Sequence, residues 1–140
     1  LFSNLNMINR RVRGFSNVAG FKKKIGSMHN LETKFTFTSE KFFLNDIEKK
    51  ILSNGIEMNY LYYNNKSRVN IKFLLIDVKG YDGMPYEVVN GNANGVTQQL
   101  NASMMFDVGN NFFIKLNAMY KNDIRYKNMM SIFGELGANF

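Results

Sequence analysis

The chain has 140 residues, 45% of them hydrophobic, and a net charge of +7. That length suits one domain, the lack of any cysteine excludes disulfides and thiolate metal sites, and no apolar run reaches the roughly 18 residues of a transmembrane helix. Much of the basic surplus sits near the front, in Arg10, Arg11, Arg13, Lys22, Lys23 and Lys24. A basic surface suits nucleic acid or an anionic membrane. These residues are interleaved with Asn and Gly, and no nucleic-acid motif accompanies them, so nucleic acid is not an expected partner. The chain opens on Leu1 rather than Met, from which a processed product or a fragment is expected.

In chain order, residues 1–28 read as a basic N-terminal segment, a strand or a linker. Asn9 to Phe21 holds at most one strand, interrupted by Gly14 and Gly20. From His29 the pattern becomes regular, and 29–140 reads as a run of antiparallel strands. His29 to Thr38 sets Leu31, Phe35 and Phe37 against Glu32, Lys34 and Thr36, the period of two that marks a strand. Ser39 to Ser53 then reads as a long connection holding a short helix over "EKFFLNDIEKKIL", capped by Asn45 or Asp46. Asn54 to Tyr63 carries Ile56, Met58, Tyr60 and Tyr62 against Glu57 and Asn59, and Asn64-Asn65-Lys66 is a short turn. Arg68 to Val78 alternates at first, then turns apolar on both faces from Leu74.

Lys79 to Gly95 is a turn-rich connection that contains the only proline, Pro85. Val96 to Val108 is the clearest strand. Leu100, Ala102, Met104 and Phe106 share its apolar side, and Gln99, Asn101 and Ser103 its polar side. After the turn Gly109-Asn110-Asn111, Phe112 to Lys121 places Ile114, Leu116 and Ala118 opposite Lys115 and Asn117. A polar loop, Asn122 to Asn128, leads to a last strand that alternates to the final residue. There Met130, Ile132, Leu136, Ala138 and Phe140 face one way, and Ser131 and Glu135 the other. Phe133 and Gly134 break the pattern.

Chemistry-bearing constellations are sparse. His29 is the only histidine, and no nucleophile–base set can be built around it. Asp46 and Glu48 read as solvated loop charges. Asp77, Asp82 and Glu87 are the only candidate calcium group. The glycines of "GNANG" lack the G-K-[ST] of a phosphate loop. No enzyme, cofactor or resident metal is expected.

Alternation alone fits a soluble sandwich with inward dry faces as well as a barrel with lipid outside. Strands of about 10–13 residues, rather than the usual five or six, fit a tilted membrane crossing. Polar opposite faces fit a lumen. Aromatic residues near strand ends (Tyr60, Tyr62, Tyr63, Phe112, Phe113, Tyr120, Phe140) fit interfacial girdles. Connections that alternate between short and long also match outer-membrane barrels.

The C-terminal stretch resembles the closing signal of bacterial outer-membrane β-barrel proteins: a terminal aromatic, Phe140, preceded at alternate positions by Ala138, Leu136 and Ile132. The resemblance implies that the barrel-assembly machinery reads these residues and that the last strand closes the barrel. Residues 67–140 are also similar to the ends of large outer-membrane proteins of Bacteroidota, through Tyr86, Glu87, Gly91, Leu116, Asn117, Tyr120 and Phe140.

The expected fold is therefore all-β, an antiparallel up-and-down transmembrane barrel or a six- to eight-stranded part of one. Six strands are legible, seven with the N-terminal one, against eight in the smallest single-chain barrels. The expectation is wall and closing strand of a larger barrel, serving transport, secretion or surface anchoring in the outer membrane. Its partners would be the lipid bilayer, the assembly machinery and the remaining strands or other membrane subunits. Leu100, Ala102, Met104, Phe106, Ile114, Leu116 and Ala118 would face lipid. Gln99, Asn101, Ser103, Lys115, Asn117 and Glu135 would face the lumen, Glu57, Lys72 and Lys121 would lie toward the lumen or near an interface, and Lys22 to Lys24 would lie near a membrane surface. The alternative is a soluble basic β-sandwich that binds an anionic partner.

Overall fold

The structure is a computed structural model describing residues 11–44, 47–80, 94–109 and 111–138, with side chains described outside 11–13, 42–44 and 47. These residues form seven strands: β1 (Arg11–Ile25), β2 (His29–Leu44), β3 (Ile47–Tyr63), β4 (Ser67–Lys79), β5 (Gly95–Val108), β6 (Phe112–Asn122) and β7 (Met129–Ala138). Every strand pairs antiparallel with the next in sequence, giving one sheet in the order β1 to β7. Among the described residues there is no helix and no second layer. They form no two-sheet sandwich, and β1 and β7 do not pair with each other to close the sheet.

Turn chemistry explains where the chain reverses. Gly26 and Gly109 sit at φ 64° and 79°, a left-handed region that side chains disfavour. At the β3–β4 turn, Asn64 does the work through its side chain. Its Oδ1 accepts from the Lys66 and Ser67 N–H groups at 2.8 and 2.7 Å, and its Nδ2 donates to the Tyr62 hydroxyl at 2.7 Å. This is the local side-chain turn that favours Asn at such positions. Asn128, at φ 53°, ends the last connection, and its Oδ1 accepts from the Tyr120 hydroxyl at 3.0 Å.

The helix expected within Ser39–Ser53 is absent. β2 and β3 run on instead to a two-residue connection between Leu44 and Ile47, paired through Ser39–Leu52, Lys41–Lys50 and Phe42–Lys49. Cross-strand hydrogen bonding outweighs the helix-like spacing of the segment, because β1 also pairs along β2 as far as Phe43. The expected cap Asp46 lies outside the described residues. In the N-terminal segment the described residues from Arg11 to Ile25 form a strand, β1, and Gly14 and Gly20 do not interrupt it; residues 1–10 lie outside the described residues. A Cβ on Gly14 would collide with the Ser39 carbonyl and the Glu40 backbone, so β1 and β2 approach closely there.

The register is staggered. One cross-strand row runs through Ile25, His29, Tyr62, Val69 and Met104. β1 and β2 turn at this row, while β5 continues four more residues, to Val108, before turning. A progressive offset of this kind accompanies tilted strands in a curved or closing sheet.

Among the described residues there is almost no conventional core. Ile51 and Val78 are the only fully buried hydrophobic residues described. They lie with Ile76 and the buried Thr97 at the end of the sheet that carries the longer connections. Leu74, Ile76 and Val78 are the residues that turn the polar side of β4 apolar, and this small cluster is where they go.

Candidate functional site

The sheet has two chemically opposite faces, and register alone assigns every side chain to one of them. On one face the row Phe21, Thr33, Met58, Phe73, Leu100, Tyr120 and Met130 spans all seven strands. The next row is Lys23, Leu31, Tyr60, Ile71, Ala102, Ala118 and Ile132. Met104, Phe106, Ile114, Leu116 and Leu136 continue this face toward the β5–β6 turn. It is exposed: Phe21, Phe35 and Phe112 are more than half accessible, and Leu136 reaches 75%. Polar residues bound it at the other end, where Asn54 opposes Asp77 and Gln98 opposes Asn122. All seven residues expected on the apolar side, Leu100, Ala102, Met104, Phe106, Ile114, Leu116 and Ala118, lie there together.

The opposite face carries the row Lys22, Glu32, Asn59, Lys72, Asn101, Met119 and Ser131. Gln99, Ser103, Lys115, Asn117 and Glu135 share it, as expected. Its charges meet both across and along strands. Glu57 lies between Lys34 and Lys72 at 3.8 and 3.1 Å, Glu32 reaches Lys34 at 3.5 Å, and Lys115 faces Glu135 at 3.9 Å. All are partly exposed, so each pair contributes at most about 1 kcal/mol. Their consequence is local neutrality on a face crowded with charge. Lys22 and Lys24 lie on this face and Lys23 on the apolar one.

Aromatic placement differs in part from the expected girdles. Tyr60, Tyr62, Phe112 and Tyr120 are on the apolar face, but Tyr63 and Phe113 are on the polar face, because strict alternation separates adjacent residues. His29 belongs to the aromatic group. Its Nδ1 lies 2.8 Å from the Tyr60 hydroxyl, and its ring is 4.9 Å from that of Tyr62.

In β7, Ile132, Leu136 and Ala138 share the apolar face; Phe140 lies outside the described residues. Gly134 does not break the facing. It sits on the same side, opposite Leu116, whose Cδ2 comes to 3.4 Å from where a Cβ would be. Phe133 does break the polar side, where it opposes Asn117 and is 59% exposed. Only Asp77 of the candidate calcium group lies among the described residues. Asp77 pairs with Lys79 at 3.7 Å, Asp82 and Glu87 lie outside the described residues, and no cluster of three potential ligands occurs among those described. Tyr86 and Gly91 also lie outside them.

The sequence marks the β6–β7 connection as a polar loop but gives no signal for the role of Asp123 within it. Asp123 is buried there, and its Oδ1 accepts from the Arg125 and Tyr126 N–H groups, both at 2.7 Å. Its Oδ2 lies 3.4 Å from Lys121 and 3.5 Å from Arg125. Burial pushes its carboxyl upward, but the Tyr126 and Arg125 hydrogen bonds and the two cations outweigh it and hold the group below its ordinary 3.8. A lowered folded value stabilises the turn at neutral pH, and that stabilisation fades as pH falls through the lowered value. Exchange protection of the Tyr126 amide should therefore be full above about pH 4 and drop in stronger acid. Asp123→Ala should lower that protection about tenfold at neutral pH and remove its pH dependence.

The chain matches no family model, no curated protein and no solved structure.

Proposed function

We propose that this chain is an integral part of a bacterial outer-membrane β-barrel, forming wall and closing strand of a transport, secretion or surface-anchoring protein, without enzymatic activity. One observation carries the reading. Seven adjacent strands present a continuous, exposed apolar face, while only two described hydrophobic residues are fully buried. A water-soluble sheet buries its apolar face against another layer. An apolar surface of this extent marks a contact with a partner or a membrane. Hydrocarbon satisfies such a face, provided that the backbone groups are paired between strands.

The dimensions agree with this. The apolar side of β6 runs from Phe112 to Tyr120, nine residues. At about 3.4 Å per residue and a tilt of about 40°, these cover about 21 Å of depth, near the ~25 Å band of such barrels. The polar face, with its neutralised ion pairs, then lines the interior. With seven antiparallel strands in sequence order, β1 and β7 point the same way. An all-antiparallel closure thus needs an odd number of further strands, which fits a larger barrel assembled by the barrel-assembly machinery, such as those of Bacteroidota whose ends this sequence resembles.

The test is fractionation of the source cell envelope, using an antibody against residues 79–95. The chain is expected in the detergent-extracted outer membrane, in a polypeptide far larger than 16.2 kDa when denatured. Recovery in the soluble fraction would overturn the membrane reading in favour of a soluble basic module.

A further inference from the structure

We infer that the polar face holds a binding site for a small organic monocarboxylate, built on Arg68. Arg68 projects from β4 on the polar face, between Tyr63 of β3 and Met105 of β5 in one cross-strand row. On the strands beside it the cations are compensated, since Lys72 meets Glu57 and Lys115 meets Glu135. Toward the β5–β6 turn Arg68 borders a second groove with Lys66 and Asp107, neither of which pairs with it. Among the described residues Arg68 has no ion pair and no side-chain hydrogen bond, which leaves one guanidinium unneutralised.

A groove of about 330 Å³ opens beside it, and no carboxylate lines that groove. Its apolar contribution comes from Leu61, Tyr63 and Met105, and Asn70 and Ser103 supply hydrogen-bonding groups. Lys115 stands at the far side, two strands from Arg68, about 10 Å away at the backbone. The guanidinium fork matches a carboxylate with two parallel hydrogen bonds. Met105, unbranched and adaptable, lies in the path of whatever extends from that carboxylate across β5. On the Leu61–Met105 side, an unpaired guanidinium beside a largely apolar groove that no carboxylate lines fits a single anionic head on a compact apolar body. The site is read from the polar face alone and goes beyond the membrane assignment.

Methionine-methyl NMR tests it on the native chain extracted in nonionic detergent, with the Met105 resonance assigned through Met105→Leu. The probes are 4-methylbenzoate and its neutral isostere 4-methylbenzamide. The benzoate should shift the Met105 methyl saturably and bind at least about tenfold more tightly than the amide, as expected for a charge-assisted pair. Arg68→Gln should abolish that preference. Equal binding of the two probes to the unaltered chain would overturn the site, whatever the variant's assembly. So would an undiminished preference in Arg68→Gln.

Discussion

Leu116→Arg is expected to block assembly of the chain into the outer membrane, whereas Asn117→Arg, one residue on, should assemble normally. The two substitutions add the same charge to the same strand and differ only in face. Leu116 lies at the centre of the apolar side of β6, opposite Met104 and Gly134. Asn117 lies on the polar side, opposite Ser103 and Phe133. If hydrocarbon covers the apolar face, an arginine at mid-depth costs about 2–4 kcal/mol, and one facing a polar interior costs little. Leu116 is 46% exposed in the sheet itself. Were that face in water, an arginine there would meet solvent and cost no more than an ordinary surface change, within about 0.5 kcal/mol. The pair therefore reads out the phase on that side. Heat-modifiable mobility on a denaturing gel, together with the yield in the outer-membrane fraction, measures assembly. Equal loss at both positions, or no loss at Leu116, would count against the membrane reading.

The sequence was legible where both faces are constrained. β5 and β6 were placed within one residue of their ends, because each position from Val96 to Lys121 must choose a side and the side fixes its chemistry. The seven apolar-side and six polar-side residues fall on opposite faces of the sheet for the same reason. Legibility fails where that constraint lapses. The β2–β3 hairpin extends past β4, whose pairing with β3 ends at Leu52–Lys79. Beyond that row no described residue of a third strand pairs with β3, and Glu48, Lys49 and Lys50 follow one another without regard to face. The spacing there imitated a helix, and only the strand pairing corrects it. The early glycines misled in the opposite sense. Gly14 and Gly20 looked like breaks, but Gly14 is the residue that lets two strands come close. Arg68, Asp123 and the Phe113–Gly137 contact were not legible at all, because each depends on which residues on other strands or in the turn become neighbours.

That last contact supports the other large prediction, Gly137→Val. Gly137 is the direct cross-strand partner of Phe113 on the polar face, and the Phe113 ring occupies the space a Cβ on residue 137 would fill. The overlapping atoms are Cζ, Cε1 and Cε2, so relief requires the whole ring to swing off the β7 backbone and give up its packing there. Overpacking of this kind costs about 1–3 kcal/mol. Here it falls near the end of β7, the strand that the closing-signal resemblance involves. Valine at 137 should therefore push the end of β7 away from β6 and lower folding efficiency severely. Shortening the opposing ring should reverse this, so the double variant Gly137→Val, Phe113→Ala should recover most of the loss. Gly134→Ala is the matched control. Its new methyl would meet Leu116 Cδ2 at 3.4 Å, an ordinary contact with the end of a movable side chain. It should fold as the parent does. Amide exchange along β7 in the four proteins resolves the matter. If Gly137→Val left β7 protection unchanged, or if Phe113→Ala failed to rescue it, Phe113 would not pack over Gly137 and the register of the final pair would be wrong.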